Sequence, residues 1–153
     1  MSTLSRPVSV YLQGGVAALG AIVVLVSLVG FGLILSSMPP SESGFAEGLA
    51  ILLFGLYVLA GFVILAGGLL IPQRDAHGIA FTSQQRTLLT YGLLAPIVGV
   101  ALVPLGAMFV PPALDPLRPA LVVGLGVFLC SGPLATLVAI GLKLRDSRHN
   151  ETT

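Results

Sequence analysis

The side chains able to do chemistry in this chain are few and poorly placed for it. Asp75 and His77 form an Asp-x-His pair in a polar segment, which supplies two potential metal ligands. Structural zinc sites use four protein ligands and catalytic ones three. Only His149 or Glu151 folding back could extend the pair, so no metal site is expected. Cys130 is the only cysteine, which excludes an intrachain disulfide and a Cys-x-x-Cys redox pair; its apolar setting reads as a small buried filler. Ser27 and Ser131 bring hydroxyls into apolar stretches, but no His or Lys stands near them to act as a base. Both histidines, His77 and His149, fall outside those stretches, which removes the axial ligand a membrane haem would need. The interiors of the four apolar stretches also lack Asp, Glu, Lys and Arg, the groups on which intramembrane acid chemistry, ion pathways and proton relays depend. The chain is therefore expected not to be an enzyme, with no catalytic residue, cofactor or metal.

The elements that would position these residues follow from composition. Hydrophobic residues make up 56% of the 153 positions and charged residues 8%. A soluble domain carries about 25% charge, so these few charges cannot clothe a water-soluble surface. The expected fold is all-α: one integral membrane domain over residues 1–153, a four-helix transmembrane bundle with no room for a separate soluble domain.

Proline and capping residues mark the spans. The first covers about 7–36, stopped by Met38, Pro39 and Pro40, and the second about 45–71, stopped by Pro72. The third covers about 83–110, opened by a Thr82/Gln85 capping box and closed by Pro111 and Pro112. The fourth covers about 116–142, with Asp115 as N-cap and Pro116 at the first helical position, leaving a tail over 143–153. The first span has an apolar core of about 22 residues, longer than a signal-peptide h-region, and reads as a retained helix. Its excess length should tilt or project, with Tyr11 and Gln13 at an interface. No internal repeat of useful strength is expected: the two halves share a rhythm of long helix, proline stop and helix, but their residues do not align convincingly.

Orientation follows from the bases. Arg6, Arg74, Arg86, Lys143, Arg145 and Arg148 fall on one side of the alternating spans and Arg118 alone on the other, so both termini should be cytoplasmic in a cell membrane. Helix dipoles do not account for this distribution. Arg6 and Arg86 lie near helix N-termini, the unfavourable end for a cation, and yet share the side of the other bases.

Helices in lipid associate through close approach at small residues and through occasional hydrogen bonds. Candidate seams are Ala120 with Gly124, and Ser131 with Ala135 and Ala139, in the fourth span; Ala95 with Gly99 in the third; and Gly14 with Ala18 and Ala17 with Ala21 in the first. Pro96, Pro104 and Pro133 should kink their helices and free the carbonyls of Gly92, Val100 and Leu129. Tyr57, near the middle of the second span, should bond a carbonyl or another helix. The expected role is an accessory, assembly or interaction subunit whose partners are the lipid bilayer and either a membrane protein or a second copy of itself. The alternative is a passive oligomeric channel or carrier for a neutral or lipidic solute. Nucleic acid is not expected as a partner, since lipid headgroups already account for the short basic tail.

Overall fold

A computed structural model describes residues 6–37, 44–71, 81–109 and 118–150. Four α-helices account for nearly all of them: α1 (Arg6–Ser37), α2 (Phe45–Leu70), α3 (Ser83–Phe109) and α4 (Arg118–Asn150). There is no strand among the described residues. Each helix contains a stretch long and apolar enough to cross a membrane, namely Val10–Ser37, Phe45–Leu70, Ser83–Val103 and Pro119–Arg148. The chain divides into two compact units, residues 1–77 and 78–153, each an antiparallel helical hairpin.

In the first hairpin α1 faces α2 through Gln13, Ala17, Gly20, Val24, Ser27 and Phe31, a spacing that alternates four and three residues as a heptad seam does. The backbones approach closely at three glycines, Gly20, Gly61 and Gly68. A Cβ on Gly20 would lie 2.8 Å from the Gly61 carbonyl oxygen, and one on Gly61 would lie 3.1 Å from the Gly20 carbonyl oxygen. A Cβ on Gly68 would press on the backbone of Val16 and Ala17, 2.9 Å from the Val16 carbonyl carbon. Toward the loop the seam widens to admit aromatic rings, with Phe31 and Phe54 at 5.8 Å between centroids. Gly44 caps the start of α2 at φ 63, a left-handed conformation that a side chain would strain, and its carbonyl accepts from Gly48 N–H at 3.0 Å.

The second hairpin uses the same heptad spacing on α3, through Gln85, Leu89, Gly92, Pro96 and Gly99, opposite Leu129, Gly132, Thr136 and Ala139 of α4. Leu89, Pro96 and Thr136 are its largest fully enclosed side chains. Pro96 lies against Gly132, where a Cβ would sit 2.6 Å from the proline Cδ. Helix α3 runs through Pro96 and Pro104, and α4 through Pro133, without interruption.

Two expectations need correction here. Residues 143–150 of the expected tail belong to α4, which continues to Asn150, with Ser147 Oγ donating to the Lys143 carbonyl at 3.0 Å. The seam of α4 differs in part from the Ser131/Ala135/Ala139 reading: Ala139 is enclosed as expected and Ser131 reaches Tyr91 of α3, but Gly132 and Thr136 pack against α3 where Ala135 was expected. In α1, likewise, Gly14 and Ala18 are exposed while Ala17 and Gly20 face α2. The proposed N-cap Asp115 and Pro116 lie outside the described residues.

Crowded and open glycines should respond differently to bulk. Gly20→Leu and Gly92→Leu are expected to lower stability by about 1–3 kcal/mol or more through overpacking. Gly14→Leu and Gly124→Leu, where a Cβ meets nothing within 4 Å, are expected to stay within about 0.5 kcal/mol of the parent. Thermal unfolding in detergent checks both pairs.

Candidate functional site

Each hairpin carries a buried glutamine near its open end, opposite the connecting loop. Gln13 is 3% exposed, and its Nε2 donates to the Leu69 carbonyl at 3.2 Å. That carbonyl belongs to the last turn of α2, where backbone acceptors have no helical partner, so the amide fills a vacancy that any helix end creates. Gln85 is 2% exposed and is used at both ends of its amide. Its Oε1 accepts from Thr82 N–H at 3.0 Å while its own N–H donates to Thr82 Oγ1 at 3.3 Å, so the capping box read from Thr82 and Gln85 is formed. Its Nε2 then donates to Asp146 Oδ2 on α4 at 2.9 Å.

Deeper polar groups are mostly spent on the backbone. Ser27 Oγ donates to the Val23 carbonyl at 2.7 Å and Thr136 Oγ1 to the Gly132 carbonyl at 3.2 Å. Ser131 donates to the Phe128 carbonyl at 2.6 Å and lies 2.7 Å from the Tyr91 hydroxyl. A serine hydroxyl has one proton, so with Ser131 committed to Phe128, Tyr91 is the donor in the second bond. This pair ties α3 to α4. Nothing in their spacing of 40 residues pairs them.

The other candidate residues are distributed as follows. Ala95 is 3% exposed, and Gly99 is buried beneath Leu129, whose Cγ would lie 2.9 Å from a Cβ there. Ala139 is fully enclosed, Ala135 is half-buried, and Ala120 and Gly124 are exposed. Tyr57 departs from expectation: it is 58% exposed, meets Phe54 edge-on at 6.5 Å, and its hydroxyl bonds no other described residue. Cys130 is exposed rather than buried, since it points away from the face that carries Gly132 and Thr136. Asp75 and His77 lie outside the described residues, and no cluster of metal-ligating side chains occurs among those described.

One open cleft of about 420 Å³ lies along the start of α3, lined by Phe81, Ser83, Arg86, Thr87 and Thr90. Thr87 and Thr90 direct their protons to the Ser83 and Arg86 carbonyls, at 3.1 and 2.9 Å, which leaves their oxygens as acceptors only. The lining holds no nucleophile with an adjacent base, so the cleft offers no constellation for acyl or phosphoryl transfer. Comparison with known proteins finds no matching family, no matching characterised sequence and no matching solved structure.

The polar ties rank by what their loss would strand. Gln85→Leu removes the amide that serves both Asp146 and the cap, and should cost about 1–3 kcal/mol. Tyr91→Phe should cost about 0.6 kcal/mol, the usual size of an interhelical bond between membrane helices. Tyr57→Phe should cost nothing measurable. Unfolding of the three variants in one detergent gives the order directly.

Proposed function

We propose that this chain is a multi-pass membrane protein acting as an accessory or assembly subunit, which presents apolar helix faces to a larger membrane protein or to copies of itself. The observation that carries this reading is the disposition of polar groups. Among the described residues no buried side-chain nitrogen or oxygen lacks a hydrogen-bond partner, and Gln13, Ser27, Gln85 and Thr136 all bond within their own hairpins. What remains outward over long stretches is apolar: Ile22, Val26, Val29 and Leu33 on α1, and Val123 and Val127 on α4, are all more than half exposed. Such faces suit lipid or another membrane helix and are hostile to water.

The charge distribution supports a cytoplasmic location for both termini. Gln85 bonds Asp146, so Arg86 on α3 and Lys143, Arg145 and Arg148 on α4 gather at the same end of the second hairpin. Four bases at one end of a hairpin is the pattern of a cytoplasmic face. A pore or carrier is the weaker reading. It needs a continuous wet path, whereas Ser27, Ser131 and Thr136 are committed to carbonyls and the cleft beside Arg86 ends by Thr90, two turns into α3.

Two measurements test this. In a Cys130→Ala background, Ser147→Cys should react with a membrane-impermeant thiol reagent only after the cells are opened; labelling of intact cells would reverse the orientation. Extraction in native lipid followed by mass spectrometry should return a protein partner at fixed stoichiometry. Recovery of self-oligomers alone, with an enriched lipid or small molecule and a solute flux abolished by Ser131→Ala, would instead favour the carrier.

A further inference from the structure

We infer that the chain is a tandem duplicate: its two hairpins are copies of one helical hairpin, whose repeated element is a glycine-on-glycine crossing latched by a glutamine. The correspondence rests on contacts before residue identities. In the first hairpin Gly20 sits between the Gly61 carbonyl and Leu65, while Gly61 sits between the Gly20 carbonyl and Val24. In the second, Gly92 sits between the Gly132 carbonyl and Thr136, while Gly132 sits between the Gly92 carbonyl and Pro96. In all four cases the lateral neighbour stands four residues after the opposing glycine, one helical turn on from the carbonyl that the Cβ would meet.

The distances agree as closely as the register does. A Cβ on the first glycine would lie 2.8 Å from the opposing carbonyl oxygen in one hairpin and 3.0 Å in the other; for the second glycine the values are 3.1 and 3.2 Å. In both hairpins a buried glutamine, Gln13 or Gln85, precedes the first crossing glycine by one heptad and donates its Nε2 to the second helix, although the acceptors differ: the Leu69 carbonyl in the first hairpin and the Asp146 carboxylate, further along its helix, in the second. A pair of glycine-rich helices could cross at glycines by chance, and the lateral neighbours follow from helix geometry once the glycines are opposed. What chance does not readily supply is a buried glutamine one heptad before the crossing in both hairpins.

Sequence register extends the match. Gln13 and Gly20 stand 72 residues before Gln85 and Gly92, and Gly55 and Gly61 stand 71 before Gly126 and Gly132. At the same offset of 71 come the only two Arg-Asp dipeptides of the chain, Arg74-Asp75 and Arg145-Asp146. Arg74 and Asp75 are outside the described residues, and their correspondence is one of register alone. The offset changes by a single residue between first and second helices, as one insertion in a connecting loop would produce. Identities elsewhere are sparse, because a seam needs only size and shape at its positions while lipid-facing positions accept any apolar residue. That is why no repeat stands out to the eye.

The test exchanges seams between the copies in the full-length chain. Giving the second hairpin the first one's seam requires Leu89→Ala, Pro96→Val and Gly99→Ser on α3 with Thr136→Leu and Ala139→Gly on α4. The α3 changes alone form a mismatched half-transplant. If the hairpins share one packing solution, the complete transplant should recover at least half of the loss in Tm that the half-transplant suffers in detergent. The reciprocal exchange in the first hairpin, Ala17→Leu, Val24→Pro and Ser27→Gly with Leu65→Thr and Gly68→Ala, guards against one hairpin being too fragile to report. Recovery by either complete transplant over its half supports duplication. Failure of both to exceed their halves overturns it.

Discussion

Close backbone approach at Gly20 with Gly61 and at Gly92 with Gly132 is the constraint on which each hairpin depends. Few side chains are enclosed, and most of those lie within about two turns of the crossings: Val24, Phe62 and Ala66 in the first hairpin, where Ala50 and Leu69 are enclosed farther along, and Leu89, Ala95, Pro96, Thr136 and Ala139 in the second. A water-soluble hairpin would be held by burying its large apolar residues, but here those residues point outward. What holds two such helices together is dispersion between surfaces brought near enough to touch. Each atom pair contributes only about 0.1–0.2 kcal/mol, so many pairs must be in contact at once. A methyl group at either glycine would separate the helices and forfeit contacts along the whole seam.

The polar ties are consequences of that proximity. Gln13 reaches the Leu69 carbonyl and Gln85 reaches Asp146 because the seam has already placed the two helices side by side. They in turn fix the axial register, since a slip by one turn would strand a buried amide. Pro96 fits the same logic. Proline within a helix removes a donor and adds bulk on one side, and Gly132 lies opposite that bulk with no side chain of its own. This arrangement makes Pro96 a packing element of the α3–α4 seam, seated against a matching hollow.

The sequence carried axial information well and azimuthal information poorly. Prolines, the Thr82/Gln85 box and the apolar runs located the four helices to within a residue or two along most of their length, since breakers and caps act locally. The exception was the far end of α4. Its charged residues read as a solvated tail, but the bond from Gln85 to Asp146 recruits that segment into the hairpin, and a tertiary contact across 61 positions leaves no local signal. Which face of a helix points inward was harder to read. In helices this rich in Gly and Ala, pairs of small residues four apart occur on several faces, and the true seams mix small residues with Val24, Phe31, Leu89 and Thr136. A template that looks only for small residues therefore chose Ala135 where Thr136 faces the partner and passed over Gly132, while Ser131 does meet α3, through Tyr91. Tyr57 and Cys130 were misjudged for the same reason, because depth along a span fixes height but not direction.

The same distinction bears on what the chain offers to other molecules. Chemistry at depth needs polar groups that are both buried in protein and uncommitted, and the seams leave none among the described residues. Tyr91 illustrates the economy: its proton goes to Ser131, whose own proton goes to Phe128, so the pair ends as a closed chain on a backbone carbonyl and not as a donor awaiting a ligand. The hydroxyl of Tyr57, by contrast, is outward on an apolar face and bonds no other described residue. A phenol there is tolerated where it can reach the interface or meet an acceptor on another molecule. The recognisable resource of this protein is thus its outer surface, shaped by two glycine crossings that fix the spacing and register within each hairpin.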